Sequence, residues 1–192
     1  MHKIYNTAYR FFTDGRMFLL LVIALFFLVG VSAGAYISVN EFKNTEISFK
    51  EDILYSVNNI NPFKTTVNSG ISVAFTVSVL WISSFFKKAV SVLLCTGIIT
   101  FKGVVTGYTV GMLTICYKMK GLLLAIASIL PQYIILLPLL FFVSVAAYSY
   151  CSKNISLKTY FIIFVVSVIL GIIPAIMDGY LSGHLLKAVF TL

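Results

Sequence analysis

Charged side chains, and acidic ones above all, are scarce in this sequence. Only 10% of the 192 residues are charged, and 14 Lys or Arg stand against six Asp or Glu. A soluble domain usually carries about 25% charged residues, because its surface must be hydrated. The composition therefore excludes a soluble globular enzyme and an intrinsically disordered protein.

Groups that could carry acid–base catalysis are also missing from most of the chain. Between Ile53 and Met177 the sequence has no Asp, Glu, Arg or His. Catalysis needs such groups to converge in one pocket, and the sequence has no HExxH, phosphate-binding loop or Ser/His/Asp set. The three cysteines, Cys95, Cys116 and Cys151, lack the spacing of metal ligands. We therefore predict no catalytic residues, no metal site, no cofactor and no enzymatic activity.

Long apolar runs are what the sequence does contain. It is 60% hydrophobic, with a mean hydropathy of +1.02, and a run of about 20 apolar residues spans a bilayer core. We predict an all-α, polytopic membrane bundle of about five transmembrane helices, forming a single membrane domain over residues 1–192. The predicted spans are 17–39, 65–86, 89–117, 121–150 and 160–177. The net charge of +8 then reflects Lys and Arg near anionic headgroups of membrane lipid, not a nucleic-acid partner.

The basic N-terminus places the start of the first span on the cytoplasmic side. The alternative is a signal peptide cleaved near Ala33-Gly34-Ala35, but the apolar stretch continues to Val39 and favours an uncleaved anchor. The third span also has two interpretations. It is either one long tilted helix or a segment that dips into the membrane and returns to the same side. The tail after Gly179 is too short for a confident sixth span, which favours an interfacial helix.

Residues 40–64 form the only sizeable polar segment and hold four of the six acids. With the N-terminus inside, this segment is an extracytoplasmic loop. Its residues Phe49, Ile53 and Val57 recur at helical spacing, which is typical of an amphipathic helix along the headgroups. A docking surface for a protein partner is the alternative. The candidate residues of that surface are Glu46, Phe49, Glu51 and Asp52.

Lys102 lies near the centre of an apolar span, where a lysine costs at least ~2.5 kcal/mol on insertion scales. It either snorkels or marks a break in the helix at Lys102-Gly103. Pro131, followed by Gln132 and later Pro138, predicts a second kink or break. A small transporter or channel with a polar path near Lys102 and Gln132 is therefore an alternative function, although the sequence shows no internal repeat.

Gly103, Gly107 and Gly111 follow each other at four-residue intervals. Such a row lies on one helix face and lets another helix approach closely. The partner helix belongs either to the bundle of this same chain, to a second copy, or to another protein. In each case the row predicts helix packing.

Three short motifs occur in order and together carry a family resemblance. Lys102-Gly103 begins the glycine row, Lys120-Gly121-Leu122-Leu123 follows, and Leu130-Pro131-Gln132-Tyr133 precedes Pro138. In these motifs the sequence resembles the stage II sporulation protein M family of endospore-forming bacteria. Near the end, Asp178 and Tyr180 also agree with the family, whereas Tyr133 stands where the family is expected to have Asn.

The resemblance implies a non-enzymatic scaffold that acts during engulfment. Such a protein lies in the mother-cell membrane at the sporulation septum. It anchors and localises two peptidoglycan hydrolases, the stage II sporulation D protein (a lytic transglycosylase) and the stage II sporulation P protein (an amidase). A homo-oligomer is a further expected assembly. The 40–64 segment would then face the peptidoglycan, where these enzymes work.

Overall fold

The structure is a computed structural model that describes residues 16–58 and 61–182. Within these ranges the chain is helical and has no strand. Its elements are α1 (Arg16–Asn58), α2 (Pro62–Ser83), α3 (Lys88–Cys151), α4 (Leu157–Leu170), α5 (Ile172–Ile176) and a π-helix (Met177–Ser182). Four segments are long and apolar enough to cross a membrane: Met17–Glu41, Pro62–Ser83, Lys88–Cys151 and Leu157–Leu181. The predicted class, an all-α membrane bundle, is confirmed.

The long helix α3 doubles back on itself at Lys118. A straight helix of its 64 residues would extend about 96 Å, three times the thickness of a hydrocarbon core. Lys118 instead has φ 51° and ψ −124°, which are not helical values. Beyond it, Gly121 packs directly against the backbone of Leu113. The residues before the turn (88–117) are called the first arm below, and those after it (119–151) the second arm.

Two expectations about helix number and breaks are corrected by this geometry. The described residues form four long apolar helices instead of five, because the third and fourth predicted spans are the two arms of α3, and the single residue Lys118 turns the chain between them. The breaks predicted at Lys102-Gly103 and at Pro131 are wrong, as is the re-entrant alternative, since α3 stays helical through Lys102, Pro131 and Pro138. In a membrane an unwound backbone would leave polar groups unsatisfied, so the helix persists wherever neighbouring groups permit it.

The predicted polar loop at 40–64 is helical over its first three quarters, because α1 continues to Asn58; the helical spacing of Phe49, Ile53 and Val57 agrees with this. No Gly or Pro occurs between Glu41 and Asn58, and nothing in that stretch therefore ends the helix. α2 then begins at Pro62, and Asn61 caps it by accepting a hydrogen bond from the Lys64 amide. The side chains of Glu46, Phe49, Glu51 and Asp52 lie outside the described part of the structure.

The core consists of contacts between the two arms of α3 and the helices around them. α1 packs mainly against α3, with Ile23 and Ile99 fully buried between them. At the end of α2, the rings of Trp81 and Tyr160 stack with centroids 5.9 Å apart. The ring of Tyr150 stacks on the other side of Tyr160 at 4.7 Å. This aromatic stack joins α2, the second arm and α4. The predicted interfacial helix at the C-terminus extends beyond residue 182, outside the described residues.

Candidate functional site

The glycine row of the first arm lies against α1 of the same chain. A Cβ atom on Gly103 would come within 2.5 Å of the Phe27 carbonyl oxygen, and one on Gly107 would overlap the backbone of Val31. The two backbones therefore touch, which only residues without side chains permit. Because α1 occupies this face, the row is used within the monomer and is closed to a second copy or another protein.

The matching row on α1 was missed by the sequence analysis. Gly30 packs against the carbonyl of Thr100, Gly34 against that of Val104, and Ser38 lies against Gly111. Gly30, Gly34 and Ser38 stand four residues apart, the same small-residue spacing that revealed the row on α3. That spacing could have identified the pair, but the stretch was considered only as a signal-peptide cleavage site.

Lys102 lies on the other side of the first arm, facing α2. Its ammonium donates a hydrogen bond of 3.2 Å to the hydroxyl of Ser72, not to Gln132. Ser72 lies near the middle of α2 and Lys102 near the middle of the first arm, and the ammonium is therefore held close to mid-membrane depth. Among the carboxylates whose side chains the structure describes, none forms an ion pair with it. An amine at this depth with one hydroxyl partner retains much of its desolvation cost of about 2.5–3.5 kcal/mol.

A groove of about 620 Å³ opens between α2 and the first arm, and Lys102 stands in its wall. Apart from Lys102 and two hydroxyls, the lining is apolar. The lining residues are Ser72, Phe75, Thr76, Val79, Leu93, Leu94, Gly97, Ile98, Phe101 and Lys102. A Cβ atom added to Gly97 would meet no atom within 4 Å, so this glycine borders open space.

In the second arm, Tyr133 makes the polar contact that was expected near Pro131 and Gln132. Pro131 and Gln132 are half-buried and Pro138 is exposed, all within continuous helix. The hydroxyl of Tyr133 lies 2.7 Å from that of Thr106 in the first arm. Tyr133, not Gln132, therefore supplies the polar contact between the arms.

Asp178 makes the polar contact at the end of the chain's last described helix. Its carboxylate accepts a hydrogen bond from the hydroxyl of Ser69 in α2. The next residue, Gly179, lies against α2, where its Cβ would stand 2.7 Å from the Pro62 carbonyl. The sequence singled out Asp178 only through the family resemblance. The π-helix turns its carboxylate toward α2, and π-helical turns occur frequently at functional sites.

The described polar groups therefore pair across helix contacts and do not converge on one pocket. Within 16–58 and 61–182, no group of three or more His, Cys, Asp or Glu could hold a metal ion. The pairs Lys102–Ser72 and Thr106–Tyr133 each join two helices or two arms. Chemically, this arrangement fixes helices relative to one another and exposes one cation in a lipid-facing groove.

Comparison with known proteins assigns the family. The profile of the family described as Stage II sporulation protein M matches residues 23–183, which includes most of the first described span and all of the others. Comparisons with curated proteins and with solved structures gave no match. The match covers most of the chain and agrees with the four apolar helices. This chain is a multi-pass membrane protein that belongs to the stage II sporulation protein M family.

Proposed function

We propose that this chain is a non-enzymatic membrane scaffold that anchors and localises peptidoglycan hydrolases during engulfment. The observation that carries the proposal is the length of α1. Its apolar span ends at Glu41, but the helix continues to Asn58, which extends it about 25 Å beyond the span. This extension contains three of the six acids of the chain, Glu46, Glu51 and Asp52, on one continuous helix.

The packing of α1 supports a scaffold because it makes the extension rigid at its base. The glycine contacts at Gly34 and Gly107 bring the backbones of α1 and α3 together. A helix held in this way presents its outer part at a fixed position and angle, which reduces the entropy lost when a partner binds. The family assignment gives the context, a membrane protein connected with sporulation.

The partners proposed are the stage II sporulation D and P proteins, and the location is the mother-cell membrane at the septum. With a cytoplasmic N-terminus, the extension of α1 lies on the peptidoglycan side of the membrane. This is the side on which enzymes that cut peptidoglycan work. The four proposed docking residues, Glu46, Phe49, Glu51 and Asp52, all lie in this extension.

Co-purification from sporulating cells in mild detergent tests the proposal. The tagged wild-type chain should recover both hydrolases, and a variant with E46Q, F49A, E51Q and D52N should recover at least tenfold less. The matched control substitutes N44A, T45A, S48A and S56A in the same helix and should bind like the wild type. Equal recovery by all three chains would reject the extension as the docking surface. Absence of both hydrolases from the wild-type sample, together with ion flux in reconstituted vesicles, would favour the channel alternative.

A further inference from the structure

The groove beside Lys102 contains a positive charge that the acyl chains of lipid cannot neutralise. Its ammonium lies near mid-membrane depth and has Ser72 as its hydrogen-bond partner, whereas acyl chains offer neither charge nor hydrogen-bond acceptors. Charged residues within membrane helices usually face a bundle interior, a cavity or an oppositely charged group. A group of opposite charge, brought by another molecule, is the chemical complement of this site.

We infer that the groove between α2 and the first arm binds a transmembrane helix of another protein, one that carries an Asp or Glu at mid-membrane depth. The carboxylate would pair with Lys102 and accept a second hydrogen bond from the hydroxyl of Ser72. The inference rests on the proposed scaffold function for the biological role of that helix. The groove and the position of Lys102 in its wall are observed in the structure and do not depend on that function.

The shape of the groove suits a helix. The side chains of Phe75, Leu93 and Phe101 line its rim and are exposed, and they supply apolar contact area on both sides. Gly97 borders the open space between them, so a helix can approach the first arm there without meeting a side chain. Unlike Gly103 and Gly107, which α1 covers, Gly97 has no packing role within the described chain.

A second copy of this chain does not fit the charge requirement. Between Ile53 and Met177 the sequence has no acid, and Asp178, the one carboxylate within about a turn of the depth of Lys102, is already used inside the chain. Glu41 ends the first span and accepts a hydrogen bond from Tyr108, and Asp178 is bonded to Ser69. The complementary carboxylate must therefore come from a different protein.

Synthetic transmembrane peptides test the inference directly. The full chain is labelled and reconstituted in phosphatidylcholine vesicles with a labelled 22-residue Leu/Ala helix carrying one central Glu. Association is measured by energy transfer. We expect the Glu peptide to bind at least tenfold more tightly than the same peptide with Gln. A peptide with its Glu moved to one end should bind like the Gln peptide.

Substitutions in the chain test separately whether binding requires the charge of Lys102 and the open shape of the groove. The Lys102→Gln variant should bind the Glu and Gln peptides equally. The Lys102→Glu variant should instead bind a peptide with a central Lys more tightly than the Gln peptide. Gly97→Phe should weaken binding of the Glu peptide by a similar factor, because its ring occupies the groove while its Cβ meets no atom within 4 Å. Ile134→Phe, at an exposed position of the second arm outside the groove, is the matched control and should bind normally.

Three outcomes would overturn the inference. Equal binding of Glu and Gln peptides, or a preference that survives Lys102→Gln, would remove the charge as the basis of recognition. Saturable binding of oleic acid, but not of oleyl alcohol, without any preference for the Glu peptide over the Gln peptide would assign the groove to a fatty-acid carboxylate. Energy transfer between two labelled copies that Gly97→Phe abolishes would assign it to a homodimer. These peptide-binding measurements use no hydrolase, so a negative result would not contradict the scaffold function. A negative co-purification result, in turn, would not contradict peptide binding in the groove.

Discussion

The hydroxyls of Thr106 and Tyr133 lie 2.7 Å apart, although the two residues are 27 positions apart in the sequence. In a straight helix they would be separated by about 40 Å. The contact thus joins the two arms of α3 well away from the turn at Lys118. It holds the arms in one register, because sliding by a single turn would separate the hydroxyls.

This contact predicts a measurable coupling between the two residues. Tyr133→Phe and Thr106→Val should each lower the free energy of unfolding in detergent, and the double variant should lose less than the sum. Interhelical hydrogen bonds in membranes contribute about 0.6 kcal/mol on average and at most about 1.7. We expect a coupling energy in that range from a double-mutant cycle. Strict additivity would show that the contact does not form in the folded protein.

The same substitution at two glycines of the first arm should have opposite effects. Gly107→Ala forces a Cβ into the backbone of Val31, and overpacking of this kind costs about 1–3 kcal/mol. Gly97→Ala meets open space and should stabilise the helix by up to about 1 kcal/mol. Thermal unfolding of both variants in the same detergent tests this. An equal shift of the melting temperature in both variants would contradict the packing of α1 on the glycine row.

Regular spacing made parts of this architecture predictable. The row at Gly103, Gly107 and Gly111 revealed a helix contact, because small residues four apart have few other uses in a membrane helix. The identity of the facing helix was left open, since the spacing describes one surface and not its partner. The groove at Lys102 was likewise hidden, because it depends on how α2 lies against the first arm.

The place of the turn within α3 was predicted, because the expected spans 89–117 and 121–150 are separated by Lys118 and Lys120, but its one-residue form was not. Lys118 adopts a positive φ, which residue type does not signal because lysine rarely does so. Pro131 and Lys102 carried the stronger local signals for a break, yet a membrane helix tolerates proline and a single charge when neighbouring helices satisfy them. Packing by neighbouring helices therefore kept the chain helical at Lys102 and Pro131, where breaks were expected.

Replacing Lys118 by glycine should stabilise the protein. At φ 51° and ψ −124° a side chain is strained, and glycine relieves about 1–2 kcal/mol of that strain, less the entropy it adds to the unfolded chain. We expect a net gain of about 1 kcal/mol for Lys118→Gly in unfolding by denaturant. Lys120→Gly, two residues later in helical backbone, is the control and should lose about 1 kcal/mol. A loss in both variants would place the turn elsewhere.

Asp178 should stabilise the bundle through Ser69. Hydrogen bonds to charged groups contribute about 1.5–3 kcal/mol, so Ser69→Ala should lower stability by an amount in this range. Tyr108→Phe, which removes the exposed hydrogen bond to Glu41, is the control, and its effect should stay below about 0.5 kcal/mol. Both are measured by thermal unfolding in detergent. Similar losses of stability in the two variants would show that the hydrogen bond between Ser69 and Asp178 stabilises the bundle no more than the exposed one does.

The extension of α1 predicts a distance that spectroscopy can measure. Spin labels at Asn40 and Asn58, in a chain whose three cysteines are replaced by serine, should lie about 27 Å apart if the helix is continuous. The distribution should be narrow in detergent and in lipid nanodiscs, since one helix carries both labels. Phe49→Pro removes a backbone donor in the middle of the extension and should broaden it. A broad distribution in the unmodified extension would show a loop in place of the helix. The rigid surface proposed for the hydrolases would then form only when they bind.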